Sequence, residues 1–157
     1  MITQIVTLVG VLIGALTSYF SVTMAERAKH RRALATRWDE RKLNTYIEYA
    51  ACVKEVADAS KFARLAAAGS EEFDHFIASM NEGERKRSAL FEALVLLAAA
   101  PVVSAAHEVN VVVWDMEKRA REHEPPPVRG NLHERLNEYH EKARQDLGIN
   151  EEAWRIP

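Results

Sequence analysis

Twenty-four consecutive residues, Ile2 to Ala25, contain no Asp, Glu, Lys, Arg or His. A helix rises ~1.5 Å per residue and a ~30 Å hydrocarbon core takes about 20 residues, so such a run can span a bilayer with some tilt. Tyr19 and Phe20 stand toward its far end, where aromatic rings favour the membrane interface. A cleaved signal peptide is the competing reading. Against it, no Lys or Arg precedes the run, the run is too long, and no clear A-x-A cleavage site follows. Residues 1–25 are therefore expected to form a transmembrane anchor.

The charge that follows sets the expected orientation. Between residues 26 and 42 the cations Arg27, Lys29, Arg31, Arg32, Arg37, Arg41 and Lys42 outnumber the anions Glu26, Asp39 and Glu40. Positive flanks stay cytoplasmic, which places the N-terminus outside and the rest of the chain in the cytoplasm, at the cell (inner) membrane. Residues 26–42 then make a basic juxtamembrane neck. In it Arg27, Lys29, Arg31 and Arg32 are candidates for contact with anionic headgroups of the membrane lipid.

One face of the anchor is rich in small and hydroxyl side chains. Thr3, Thr7, Gly10, Gly14, Thr17 and Ser21 alternate at spacings of four and three, and Ser18 extends the small-x-x-x-small pattern of Gly10 and Gly14. Membrane helices associate through close packing over such residues, so the stripe predicts a homo-oligomer or a subunit of a membrane protein complex. The competing function is an oligomeric pore or membrane effector, with the same Thr/Gly/Ser stripe lining water.

The remaining chain, 43–157, has room for one domain. The whole chain carries a net charge of −2 despite its basic neck, so the body is acidic, which argues against nucleic acid as a partner. Cys52 is the only cysteine, leaving no disulfide framework and no Cys-rich metal site; beside Tyr49, Val53 and Val56 it reads as a small apolar residue.

Helical grammar runs through this domain. No Gly or Pro occurs between Ala15 and Ala68, and Tyr46, Tyr49, Val53, Val56, Ser60, Ala63 and Ala67 recur at helical spacing. Gly69 is placed as a helix stop and Ser70 as the next N-cap. A second helical stretch, about 71–99, has Phe73, Phe76, Ile77, Met80, Leu90, Phe91, Leu94 and Leu97 as apolar members, with Asn81-Glu82-Gly83 expected to kink or divide it. Pro101 opens a third helix, whose expected core face is Val102, Ala105, Ala106, Val109, Val112, Val113 and Met116. A Pro-rich linker at 124–130 leads to a last helix capped by Asn131, with a seam of Leu132, Leu136, Tyr139, Ala143 and Leu147 and a stop at Gly148. Trp154 and Ile156 in the tail are candidates for docking. The expected fold is all-α, an N-terminal transmembrane helix continuing into an antiparallel cytoplasmic bundle of about four helices with coiled-coil-like seams.

Chemistry is sparse in the pattern. A di-iron bundle requires paired Glu-x-x-His motifs, and only Glu72-x-x-His75 matches; none of the four His-Glu dipeptides completes H-E-x-x-H. There is no Gly-rich phosphate loop and no G-x-S-x-G elbow. No catalytic residue, metal or cofactor is expected. Glu84-Arg85-Lys86-Arg87 and Lys118-Arg119-Ala120-Arg121-Glu122 read as solvated helix faces. Val103, His107, Val111 and Trp114 fall on a flank beside the third core stripe and form a candidate partner face.

Trp38-Asp39-Glu40-Arg41-Lys42-Leu43-x-x-Tyr46, Arg87-Ser88-Ala89-Leu90-Phe91-Glu92 and Ala143-Arg144-x-Asp146-Leu147-Gly148 together resemble small membrane proteins of actinobacteria. That resemblance implies an N-terminal membrane helix with a cytoplasmic helical domain and carries no activity. The functional expectation is a non-enzymatic, membrane-anchored scaffold, adaptor or accessory subunit.

Overall fold

A computed structural model describes residues 37–125 and 131–149. The expected anchor, the stripe on it and the lipid-contact cations lie outside those residues, as do most of the Pro-rich linker and the tail with Trp154 and Ile156. Among the described residues no helix is long and apolar enough to cross a membrane. The chain falls into two compact units, Met1–Glu40 and Arg41–Pro157, and the second contains the bundle described below.

The described residues are all-α. Helix α1 is described over 37–65, and α2 (Glu71–Leu97), α3 (Ala100–Arg121) and α4 (Leu132–Asp146) follow; no strand occurs among them. The capping chemistry accounts for the boundaries. Gly69 takes φ +72°, a conformation costly for any residue with a Cβ, and the Ser70 hydroxyl accepts the Phe73 amide at 3.1 Å. Glu71, Glu72 and Asp74 then face the positive end of the α2 dipole. Only Ala98 and Ala99 separate α2 from α3, whose first turn holds Pro101. At the end of α4, Gly148 has φ +77°, its amide donates to the Gln145 carbonyl, and the Ile149 amide donates to that of Arg144. That is the Schellman arrangement, although the Ile149 side chain stays exposed.

Cross-helix contacts fix the directions. Cys52 meets Gly83 and Phe62 stacks on Phe76, so α1 and α2 run antiparallel. Arg87 meets Asn110 and Arg121 meets Asn81, which makes α3 antiparallel to α2. Tyr139 reaches the Tyr46 carbonyl and Asp146 reaches Lys42, returning α4 alongside α1. The body is an up-down-up-down bundle.

Its core is largely the one the periodicities define: Tyr46, Tyr49, Val53, Val56 and Ala63 from α1, Met80 and Leu94 from α2, Val102, Ala106, Val109 and Val113 from α3, and Leu136, Tyr139 and Ala143 from α4. Val112 and Met116 are half-buried flanks and Ala67 is exposed. Gly83 does not divide α2, which runs unbroken from Glu71 to Leu97. A Cβ there would stand 2.6 Å from Val56 Cγ2, so the glycine lets α1 and α2 approach closely. At the far end His123 adopts φ 52°, stacks on Phe73 at 4.7 Å and places Nε2 3.2 Å from the Ala66 carbonyl. That residue closes the bundle over the α1–α2 turn.

Candidate functional site

The core stripe of α2 reads Met80, Arg87, Leu94, three buried residues seven apart. Arg87 occupies a position that heptad geometry assigns to the core, and it is among the largest fully buried side chains, at 1% exposure. The stripe of α3 does the same with Ala106, Asn110, Val113, Glu117 and Ala120, spaced four, three, four and three. Asn110 and Glu117 are each 2% exposed. Because α2 and α3 run antiparallel with only two residues between them, these polar positions form a polar layer along the α2–α3 contact, with Arg87 meeting Asn110 and Glu117 two turns further along α3.

Arg87 was expected on a solvated face with Glu84, Arg85 and Lys86. Burial corrects that reading for Arg87, while Arg85 and Lys86 are exposed. The guanidinium donates through Nε to Glu84 Oε2 at 2.9 Å and through Nη2 to the same oxygen, and Nη1 donates to Asn110 Oδ1. Its carbon lies 5.3 Å from the centroid of the Trp114 ring, in cation–π range. Trp114 Nε1 in turn donates to Glu84 Oε1 at 3.1 Å. From α1 the Tyr49 hydroxyl lies 2.8 Å from both the Ala106 carbonyl and Asn110 Oδ1, and its single proton serves one of them at a time. Burial raises the Tyr49 phenol well above its ordinary range, so it remains a neutral donor.

Glu117 is the exception in the layer. Its Oε1 is buried with no hydrogen-bond partner. Burial above all, with the charge of Glu84 added, pushes its carboxyl up to about 7 against the pull of Arg87 and Arg121. An ionised carboxylate without donors in an apolar setting is costly, so the neutral acid is the form this site favours. Cys52 lies near the same layer; its thiol donates to the Gly83 carbonyl at 3.3 Å, and burial foremost pushes its pKa up. It has the character of a small buried side chain.

A second polar cluster ties α1 to α4. Asp146 accepts from Lys42 Nζ at 3.0 Å and from the Tyr46 hydroxyl. Burial works against its charge, but these two donors and the nearby Ala99 backbone hold the carboxyl below the usual range. Above it Tyr49 and Tyr139 pack at 5.1 Å, and the Tyr139 hydroxyl donates to the Tyr46 carbonyl at 3.2 Å.

The four residues of the candidate partner face lie on the outer side of α3. Val103 is half-buried, whereas His107, Val111 and Trp114 are exposed, the last two at 47% and 46%. His107 and Trp114 meet edge to face at 6.3 Å. Trp114 therefore belongs both to this surface and, through Glu84 and Arg87, to the buried layer. Among the described residues no His, Cys, Asp or Glu group is arranged to hold a metal. The chain matches no protein-family model, no curated protein and no solved structure.

Proposed function

We propose that the protein is a single-pass, N-outside membrane protein that presents its helical bundle to the cytoplasm as a non-enzymatic scaffold or accessory subunit. The uncharged run of residues 2–25 followed directly by the basic neck carries the reading. In this reading the Gly10/Gly14 stripe joins membrane helices, Arg27, Lys29, Arg31 and Arg32 rest on anionic lipid, and the outer strip of α3 receives a partner. Two features of the bundle support it. Tyr49, Glu84, Arg87, Asn110 and Trp114 are engaged with one another, and large apolar side chains on α3 face outward.

Topology tests the reading. A Thr3→Cys reporter should react with a membrane-impermeant maleimide on intact cells. Cys52 is buried and makes a poor reporter, so the inner probe is Ser79→Cys, at an exposed site on α2, in a Cys52→Ala background. That probe should react only after permeabilisation. Labelling of Ser79→Cys from outside, or release of the chain from membranes by carbonate, would refute the proposal.

A further inference from the structure

The polar layer contains more negative charge than its one guanidinium can serve. Arg87 already binds Glu84 and Asn110. The next cation, Arg121, donates to Asn81 Oδ1 at 3.0 Å. Glu117, one turn before Arg121 on α3, is left with a buried oxygen that nothing donates to. The buried α1 residues between Tyr49 and Ala66 bring no charge to this layer: Cys52, Val53, Val56, Ala57, Ala59, Ser60 and Ala63 are all uncharged. On α4, Arg135 reaches α3 at 4.0 Å from Glu108, more than two turns from Glu117. The groups that bear on Glu117 are therefore Glu84 and Arg87 across the α2–α3 contact and Arg121 on its own helix.

We propose that Glu117 is a proton-binding site, and that loss of its proton draws the Arg87 guanidinium away from Glu84 and frees Trp114 on the outer face of α3. The proton leaves to solvent and the carboxylate remains. The direction follows from exposure. The Glu84 side chain is 32% exposed and can exchange its partner for water, whereas Glu117 is 2% exposed and, once ionised, draws on the neighbouring guanidinium groups, of which Arg121 already donates to Asn81. When Arg87 turns, Trp114 loses the cation beneath its ring, and the Glu84 carboxylate that accepts from its Nε1 loses its guanidinium anchor. The bound and released forms thus differ on the strip that the functional proposal assigns to a partner, although the proton switch does not depend on that assignment. The elevated carboxyl of Glu117, at about 7, sets the switch within the range of intracellular pH.

Trp114 reports the change directly. Full-length protein in detergent micelles, carrying Trp38→Phe and Trp154→Phe, is titrated from about pH 5 to pH 9 while emission and acrylamide quenching are recorded. A single transition near neutrality with about a twofold rise in quenching at high pH is expected. His107 lies edge to face against Trp114, so a His107→Gln variant separates its influence on the ring from that of Glu117. The transition should survive in His107→Gln and vanish in Glu117→Gln. Its survival in Glu117→Gln, its loss in His107→Gln, or a flat profile in the parent protein would overturn the proposal. Infrared spectra of the unmutated chain give an independent check. A protonated-carboxyl carbonyl band should persist at pH 6 and fade by pH 8, and its absence at pH 6 would also overturn it.

Discussion

The two polar clusters of this bundle use similar groups to opposite effect. Near the α2–α3 turn, Asp146 is matched by the Lys42 ammonium and the Tyr46 hydroxyl, and its charge is favoured. Between α2 and α3, two carboxylates compete for Arg87, and the more buried one is pushed toward neutrality. The difference lies in stoichiometry and access. Lys42 and Asp146 pair one to one, and with 22% and 11% of their side chains exposed they keep some contact with water. Glu117 is only 2% exposed, and one of its oxygens has no donor. A buried charge stabilises when each lone pair meets a donor, and becomes a titratable defect when one does not.

Removing the cation of the over-subscribed layer should have the largest effect. Arg87→Ala empties a fully buried site and takes from Asn110 and Glu84 their charged donor, so a loss of about 3–5 kcal/mol is expected in denaturant unfolding followed by helicity. Arg87→Met, which refills part of the volume, should recover a portion. A loss under about 0.5 kcal/mol for Arg87→Ala would place the residue on the surface after all.

Glu117→Gln should act with the opposite sign. A carboxyl held above its unfolded value stabilises the fold at acid pH, and that contribution is lost as pH rises from the unfolded value toward about 7. The glutamine keeps the neutral shape at all pH. The variant should therefore match the parent near pH 4 and exceed it by roughly 3 kcal/mol at pH 8 and above. Equal stabilities at both pH values would mean that Glu117 is ordinarily hydrated.

The sequence made the matched cluster partly visible and concealed the other. Tyr46, Tyr49 and Tyr139 sit in apolar stripes, so their burial follows from spacing alone, and the caps at Ser70, Asn131 and Gly148 are written in single residues. Arg87 was hidden because it stands in a run of charges, and composition there argues for solvent. The signal that could have found it is positional: seven residues after Met80 and seven before Leu94, where the α2 stripe otherwise has a gap. Asn110 and Glu117 carry the same signature on α3, interrupting a valine and alanine stripe at core spacing. Gly83 misled for a different reason. Its role depends on Val56 in another helix, which no local pattern on α2 contains.

The smallest effect belongs to the balanced cluster, and its pH dependence runs the other way. Asp146→Asn keeps an oxygen able to accept from Lys42 and Tyr46 but removes the charge that makes those bonds strong. A loss of about 1–2 kcal/mol is expected at pH 7, within the range for hydrogen bonds to charged groups and reduced by the acceptor that remains. The carboxyl is depressed in the fold, so its contribution is present above the unfolded value near 3.8 and is lost as pH falls through the lower folded value. The gap between Asp146→Asn and the parent should hold from pH 8 down to about pH 5 and close in acid. Set beside Glu117→Gln, whose advantage opens only as pH rises, the two curves should diverge from opposite ends of the scale. A gap for Asp146→Asn that instead widened in acid would mean that Lys42 and Tyr46 do not favour the ionised carboxylate, and the contrast between the two clusters would fail.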